Sequence, residues 1–260
     1  MYLAFRFFLS AFILAIIFYK RLKNIKKEDV RAGLVVGLFM LLGFLTQTIG
    51  LVYTTPSKSG FITGSNVVMV PFFAYFLTKK FPSPVQILGA TVTFCGLGII
   101  YVSESLSIAY GDILTILCAI SFALQITLTE YYVKKADPIN MAIVQVALAG
   151  IVTMAMAAIV EPIQLDLGLW NWAAILYGAA FCTAGAFAVQ NIAQKYTSST
   201  HAAVILCTES AVAGIFSFLF WHETVTLKAL CGFIMILAGV LITELSPSAL
   251  HQTSTSTSQT

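Results

Sequence analysis

Charge is scarce in this sequence. Only 10% of its 260 residues are Asp, Glu, Lys or Arg, against about 25% in soluble domains, which excludes a water-facing globular surface of ordinary composition. Histidine is scarcer still. His201, His222 and His251 stand far apart, and HETVT at 222 has no second histidine to complete a zinc-protease pair, so no metal site is expected. No GxSxG, phosphate-loop or GxGxxG arrangement occurs, which removes the starting points for hydrolase, ATPase and dinucleotide chemistry. The chain is therefore expected to hold no catalytic residues and no cofactor, and not to be an enzyme. Its five cysteines (Cys95, Cys118, Cys182, Cys207, Cys231) lie in apolar stretches without CxxC spacing. They read as small core residues rather than as zinc ligands or disulfides.

What is abundant is apolar. Hydrophobic residues make up 59% of the chain, and they gather in nine runs of roughly 20 residues, the length needed to cross a bilayer as a helix. The runs cover residues 2–19, 32–53, 57–78, 84–103, 110–131, 138–160, 169–192, 200–221 and 225–244. Backbone exposed to lipid has to satisfy its own hydrogen bonds, so the runs predict an all-α integral membrane protein with nine transmembrane helices. No A-x-A cleavage site follows the apolar start, so a cleavable signal peptide is not expected. The Ser/Thr-rich tail, 245–260, is expected to be disordered.

Lys and Arg are unevenly placed. The loop KRLKNIKKEDVR carries Lys20, Arg21, Lys23, Lys26, Lys27 and Arg31, and the same side of the predicted topology collects Lys79, Lys80, Lys134, Lys135 and Lys195. Opposite loops hold only Lys58 and Lys228. The positive-inside rule then puts the N-terminus outside and the C-terminus in the cytoplasm. Topology also explains the basic loop without nucleic acid, and no large soluble domain is available to bind one.

The sequence repeats itself. A shift of 143 positions aligns FLTQTIGLVYTT (44–55) with FAVQNIAQKYTS (187–198), and without a gap it matches Gly89 with Gly232 and Gly96 with Gly239. The repeat unit has five helices, of which the first copy shows four. Five is odd, so corresponding helices run in opposite directions, the inverted-repeat plan of many secondary transporters.

LAFRFFLSAFIL near the start, VYTTPSKSGFITGSNVVMVPFFAYFLTKKFPSPVQILGATVTFCGLGIIY, and YTSSTHAAVILCTESAVAGIFSFLFWHETVTLKALCGFIMILAGVLITE resemble the EamA-like branch of the drug/metabolite transporter superfamily. The resemblance covers nearly the whole chain to about residue 244. It implies two inverted EamA-like repeats, residues 1–104 with four helices and 109–244 with five, the first of ten helices being absent. It also implies a small-molecule substrate, such as an amino acid or related compound, carried outward by alternating access between the halves. A bacterial inner membrane, a proton gradient as driving force, and a homodimer contact through the last helix of each unit belong to the same expectation. The absent helix keeps a different class open, a non-transporting or degenerate membrane scaffold or receptor.

Glu209 is the one carboxylate well inside the run that begins at His201. A charge at mid-bilayer costs roughly 2.5–3.5 kcal/mol on insertion scales, so such a residue faces a bundle interior or a wet cavity. It either binds a cationic group or exchanges protons there, or it is a protonated carboxyl that packs helices together. Its repeat partner is Asn66, and each precedes by five residues a helix-weakening position, Pro71 and Gly214 respectively. Those two are candidate kink or gating positions.

Gln47 and Gln190 form a second pair, able to hydrogen-bond a polar solute or to join helices. Tyr53 and Tyr196 follow about two helical turns on, as further solute contacts or as interfacial anchors. Arg6 either snorkels to the surface or meets an anionic group. Gln125, Gln145 and Asn191 are further polar candidates. Gly89, Gly96, Gly232 and Gly239 are read as helix-packing positions, and Gly33-xxx-Gly37 as another close approach.

Overall fold

Local chemistry at the helix starts organises the chain. Asp-Pro, Thr-Pro and Ser-Pro each open a helix, the polar residue capping and the proline occupying the first turn, where its missing N–H costs nothing. Asp137 Oδ1 accepts from the backbone N–H of Ile139 and Asn140, both at 3.0 Å. Thr55 accepts from Lys58 N–H at 3.3 Å. Ser83 and Gln86 cap each other reciprocally, at 3.2 and 3.0 Å, as a capping box does.

The structure is a computed structural model that describes residues 1–79, 81–101, 109–160, 168–209, 212 and 226–244. Every regular element among them is helical: α1 Tyr2–Ile17, α2 Tyr19–Leu22, α3 Lys27–Gly50, α4 Pro56–Gly64, α5 Asn66–Thr78, α6 Pro84–Tyr101, α7 Tyr110–Val133, α8 Pro138–Val160, α9 Gly168–Ala179, a π-helical stretch Ala180–Gly185, α10 Ala186–Ala193, α11 Ser199–Leu206 and α12 Leu227–Glu244. Five helical segments are long and apolar enough to cross a membrane: Lys27–Gly50, Lys58–Thr78, Tyr110–Val133, Pro138–Val160 and Gly168–Ala193. Three shorter apolar helices, Tyr2–Ile17, Pro84–Ile100 and Leu227–Thr243, complete the described set. Half of the expected eighth span, residues 210, 211 and 213–221, lies outside the described residues, as does the tail.

Three spans differ from the uniform helices expected. The span 57–78 is interrupted at Ser65, and the span 169–192 contains the π-helical stretch. The second span starts at Lys27, inside the basic loop, because Asp29 turns back to accept the Lys26 N–H at 3.1 Å and stabilises the helix start.

The helices group into two compact units, each drawing on both halves of the sequence: residues 1–41 with 128–195, and residues 42–127 with 196–260. In the first, α1 lies on α8, where a Cβ added to Gly150 would come within 3.0 Å of the Phe8 backbone. Gly33 and Gly37 bring α3 against Val144 and Gln145 of α8. Buried Asp29 pins the same two helices together, accepting from Asp137 N–H at 2.8 Å and Asn140 Nδ2 at 2.9 Å.

In the second unit, α5, α6, α11 and α12 share a core that includes Val67, Val70, Ala90, Leu97, Ala203, Val204 and Ile236. Its tightest contact is between α6 and α12. A Cβ on Gly89 would sit 2.7 Å from the Gly239 carbonyl, and one on Gly96 would sit 2.8 Å from the Gly232 carbonyl. The two helices therefore cross antiparallel, and the contact is self-complementary: each glycine meets the repeat partner of the other.

Gly239→Leu is expected to force α6 and α12 apart, with an overpacking cost of about 2 kcal/mol or more, lowering the melting temperature in detergent by several degrees. Gly98→Ala on α6, whose added Cβ would meet only the Phe61 ring at 3.4 Å, should leave that temperature unchanged or slightly raised.

Candidate functional site

Two helices break within one residue of the same repeat position. In α4 the backbone N–H of Ser65 is shared between the carbonyls of Phe61 and Ile62, each at 3.1 Å, and Ser65 Oγ donates back to the Ile62 carbonyl at 2.6 Å. In α11 the Cys207 N–H is shared between Ala203 and Val204, each at 3.2 Å. There Thr208 Oγ1 donates to the Ile205 carbonyl at 2.7 Å. Ser65 and Thr208 are repeat partners, as are their acceptors. A hydroxyl bonded to the carbonyl three residues back competes with the helical ladder and bends it.

The residue after each hydroxyl is a sequence candidate, Asn66 and Glu209. Both belong to the second unit, on elements that share its core through Val67 and Cys207. Asn66 is half-buried and Glu209 exposed. Glu209 is thus not a carboxyl buried against a neighbouring helix, as the packing reading required. Its exposure leaves the carboxylate open to water or solute, and a lipid-facing position would carry the cost of an unsolvated charge.

A polar ladder runs through the same unit. Gln47 Nε2 donates to Thr63 Oγ1 at 3.4 Å, and that hydroxyl is 3.8 Å from Cys118 Sγ. At the start of α4, Asp112 accepts from Thr54 Oγ1 and from Ala109 N–H, and lies 3.9 Å from Lys58 Nζ. The matching position at the start of α11 is His201, buried and fully engaged. Its Nε2 is 2.9 Å from the Thr243 carbonyl, which can only accept, so Nε2 carries the proton. Nδ1 then accepts from Ser198 Oγ at 2.7 Å and from Gln86 Nε2 at 3.2 Å. This network was not anticipated from the sequence, although the Ser198 cap three residues before His201 was a readable sign of the helix start.

The first unit holds the other candidates. Arg6 does not reach outward for water. It is half-buried, its Nε donating to Thr183 Oγ1 at 2.6 Å and its Nη2 to the Cys182 carbonyl at 3.3 Å. Both acceptors lie in the π-helical stretch, where the altered ladder presents backbone oxygen to a side chain. Beside it, Ser10 Oγ bonds the Ala179 carbonyl at 2.9 Å. Gln190 donates to Gln194 at 3.3 Å, and Asn191 Nδ2 to the Pro138 carbonyl at 3.2 Å. Gln145 is fully buried on α8, and neither atom of its amide has a hydrogen-bond partner.

So the repeat mates Gln47 and Gln190 lie in different units with unlike partners. Tyr53 and Tyr196, beyond the ends of α3 and α10, are exposed, and Tyr53 meets Tyr110 edge-on at 5.5 Å. Pro71 is buried within α5, which runs on to Thr78, so the interruption lies six residues upstream of it. Gly214 lies outside the described residues.

The sequence profile of the EamA-like transporter family matches residues 1–102 and 109–245. A protein of Archaeoglobus fulgidus named "Uncharacterized transporter" is 31% identical over 234 residues, 90% of this chain and 74% of that protein. "Uncharacterized transporter YoaV" of Bacillus subtilis is 21% identical over 247 residues, 91% and 84% of the two chains. One solved crystal structure superposes with a TM-score of 0.78 at 14% identity, over 94% of this chain and 87% of that one, and so shares the fold.

Thr183→Val leaves the Arg6 guanidinium short of its nearest acceptor. Since hydrogen bonds to charged groups contribute about 1.5–3 kcal/mol, the variant should melt several degrees lower in detergent, and Thr183→Ser should restore most of the loss.

Proposed function

Because the chain belongs to the EamA-like transporter family, a multi-pass membrane protein of transporter rather than enzyme type, we propose that it is a secondary transporter whose solute passes the two helix interruptions carrying Asn66 and Glu209. The observation that carries this reading is their coincidence. Two helices 143 residues apart in sequence start in matching register, at Pro56 and Ser199, and stop within one residue of it, at Gly64 and Leu206, and each interruption is followed within two residues by the polar side chain. Interrupted helices are how transporters bring backbone polarity and side chains to a solute at membrane depth.

The inverted-repeat layout is part of the proposal, and helix boundaries support it. Gly50 and Ala193 end helices in matching register. Thr55 and Ser198, then Ser83 and Thr226, cap helix starts in matching register. The antiparallel crossing of α6 with α12 at Gly89–Gly239 and Gly96–Gly232 is what a two-fold axis in the membrane plane would produce. Nine spans, an external N-terminus and a cytoplasmic C-terminus follow from that layout with the Lys and Arg distribution.

The solute class we assign is a small polar or amphipathic metabolite, such as an amino acid or related compound, moved outward across a bacterial inner membrane by alternating access. Glu209 is the group assigned to proton coupling or to a cationic part of the solute. Untargeted metabolite profiling of medium and cytoplasm, in cells expressing wild type, Glu209→Gln or an empty vector, tests this. One solute redistributed by the wild type and reduced at least tenfold in the variant, at equal membrane expression, is the expected result. The reading fails for Glu209 if the variant moves the solute as well as wild type, and proton coupling fails if initial rates match with and without a proton gradient.

A further inference from the structure

Beneath the first turn of α3 lies a groove of about 590 Å³ that the transport reading does not use. Lys26, Lys27 and Arg31 line it together with the apolar Ile25, Val30, Leu34 and Val35. Val30, Leu34 and Leu38 are exposed at four-residue spacing, which puts them on one face of the helix. They form an apolar strip about 12 Å long, from a rise of about 1.5 Å per residue, running from the cations along the membrane span.

The acidic residues of the same turn point elsewhere. Asp29 is buried and bonded to Asn140 and to the Asp137 N–H. Glu28 lines a second cavity, with Arg31, Tyr131, Tyr132 and Lys135. The groove therefore offers a ligand three cations among its lining residues and an apolar face that continues along the helix.

We propose that this groove binds an anionic glycerophospholipid, the phosphate between Lys26, Lys27 and Arg31 and one acyl chain along Val30, Leu34 and Leu38. A free phosphate would satisfy the cations and leave the apolar walls facing water. A zwitterionic lipid would fill the walls but bring its own cation beside Lys26, Lys27 and Arg31. Only an anionic lipid matches both features, in the manner of basic pockets beside transmembrane helices. The three cations sit at the end of a helix long enough to span the membrane, which is headgroup level.

Native mass spectrometry of the full chain in detergent tests this, with dioleoyl phosphatidylglycerol, dioleoyl phosphatidylcholine and inorganic phosphate as probes. Phosphatidylglycerol should bind the wild type well ahead of phosphatidylcholine. In Lys26→Gln/Lys27→Gln/Arg31→Gln its affinity should drop by about fivefold per lost cation, on the order of 100-fold in all. Phosphatidylcholine binding should stay the same. Lys20→Ala/Lys23→Ala/Lys195→Ala removes as much charge outside the groove and should keep wild-type binding, and a melting curve for each variant checks folding. The site is overturned if both triple variants lose phosphatidylglycerol equally, which would indicate bulk charge, or if the first loses none. It is also overturned if inorganic phosphate competes with the lipid at comparable concentration, which would make the groove a free-anion site.

Discussion

A peptide group in hydrocarbon has no water to bond, so every interruption of a helix there needs a local substitute partner. Much of this fold follows from that constraint. Ser65 and Thr208 supply hydroxyls to carbonyls at the two helix breaks, Thr55, Ser83, Asp137 and Ser198 supply acceptors to helix starts, and Arg6 supplies donors to the π-helical stretch. Some of the polar side chains of the apolar spans thus stand at irregular backbone, while others, such as Gln125 and Gln145, are buried on regular helix. Their place at the breaks makes Asn66 and Glu209 a coherent pair, since the places where the ladder is disturbed are also those where a polar solute can find partners.

Close approach of helices is the complementary requirement. Lipid offers no hydrophobic drive to bring apolar helices together, so small residues and dispersion contacts do so. Gly89, Gly96, Gly232 and Gly239 let carbonyls of one helix lie where side chains would stand, and Gly33 and Gly37 do the same for α3 on α8. The glycine pairs found by sliding the sequence on itself meet crosswise, Gly89 with Gly239 rather than with its own repeat mate Gly232. A two-fold relation between antiparallel helices gives that pattern.

Sequence periodicity and composition carried much of this. Apolar run length located the described spans, and the 143-residue shift located glycine crossings that the structure places in contact. The breaks were invisible to hydropathy, because a serine or threonine that bends a helix scores almost like one that does not. The π-helical stretch AFCTAG was hidden for the same reason, its sequence being ordinary helix-compatible residues. Symmetry also misled in part. Gln47 and Gln190 match in sequence, yet one bonds Thr63 on α4 and the other Gln194 on its own chain segment, because a hydrogen-bond partner depends on the neighbouring helix and not on the repeat. His201 with Ser198, Gln86 and the Thr243 carbonyl joins residues far apart in sequence, and no local pattern announces it.

Water at the two interruptions is the central physical requirement, and thiol labelling reads it without knowing the solute. In a background whose five cysteines are replaced by Ala or Ser, single substitutions Asn66→Cys and Glu209→Cys would be treated with a charged, membrane-impermeant thiol reagent, which reacts with thiolate and so needs water. Ile87→Cys and Leu88→Cys, exposed positions on apolar α6, serve as lipid-facing controls. Labelling at 66 and 209, in membranes or after permeabilisation, with 87 and 88 inert, is the expected result. Asn66→Cys and Glu209→Cys as unreactive as the controls would contradict a polar path at the helix breaks.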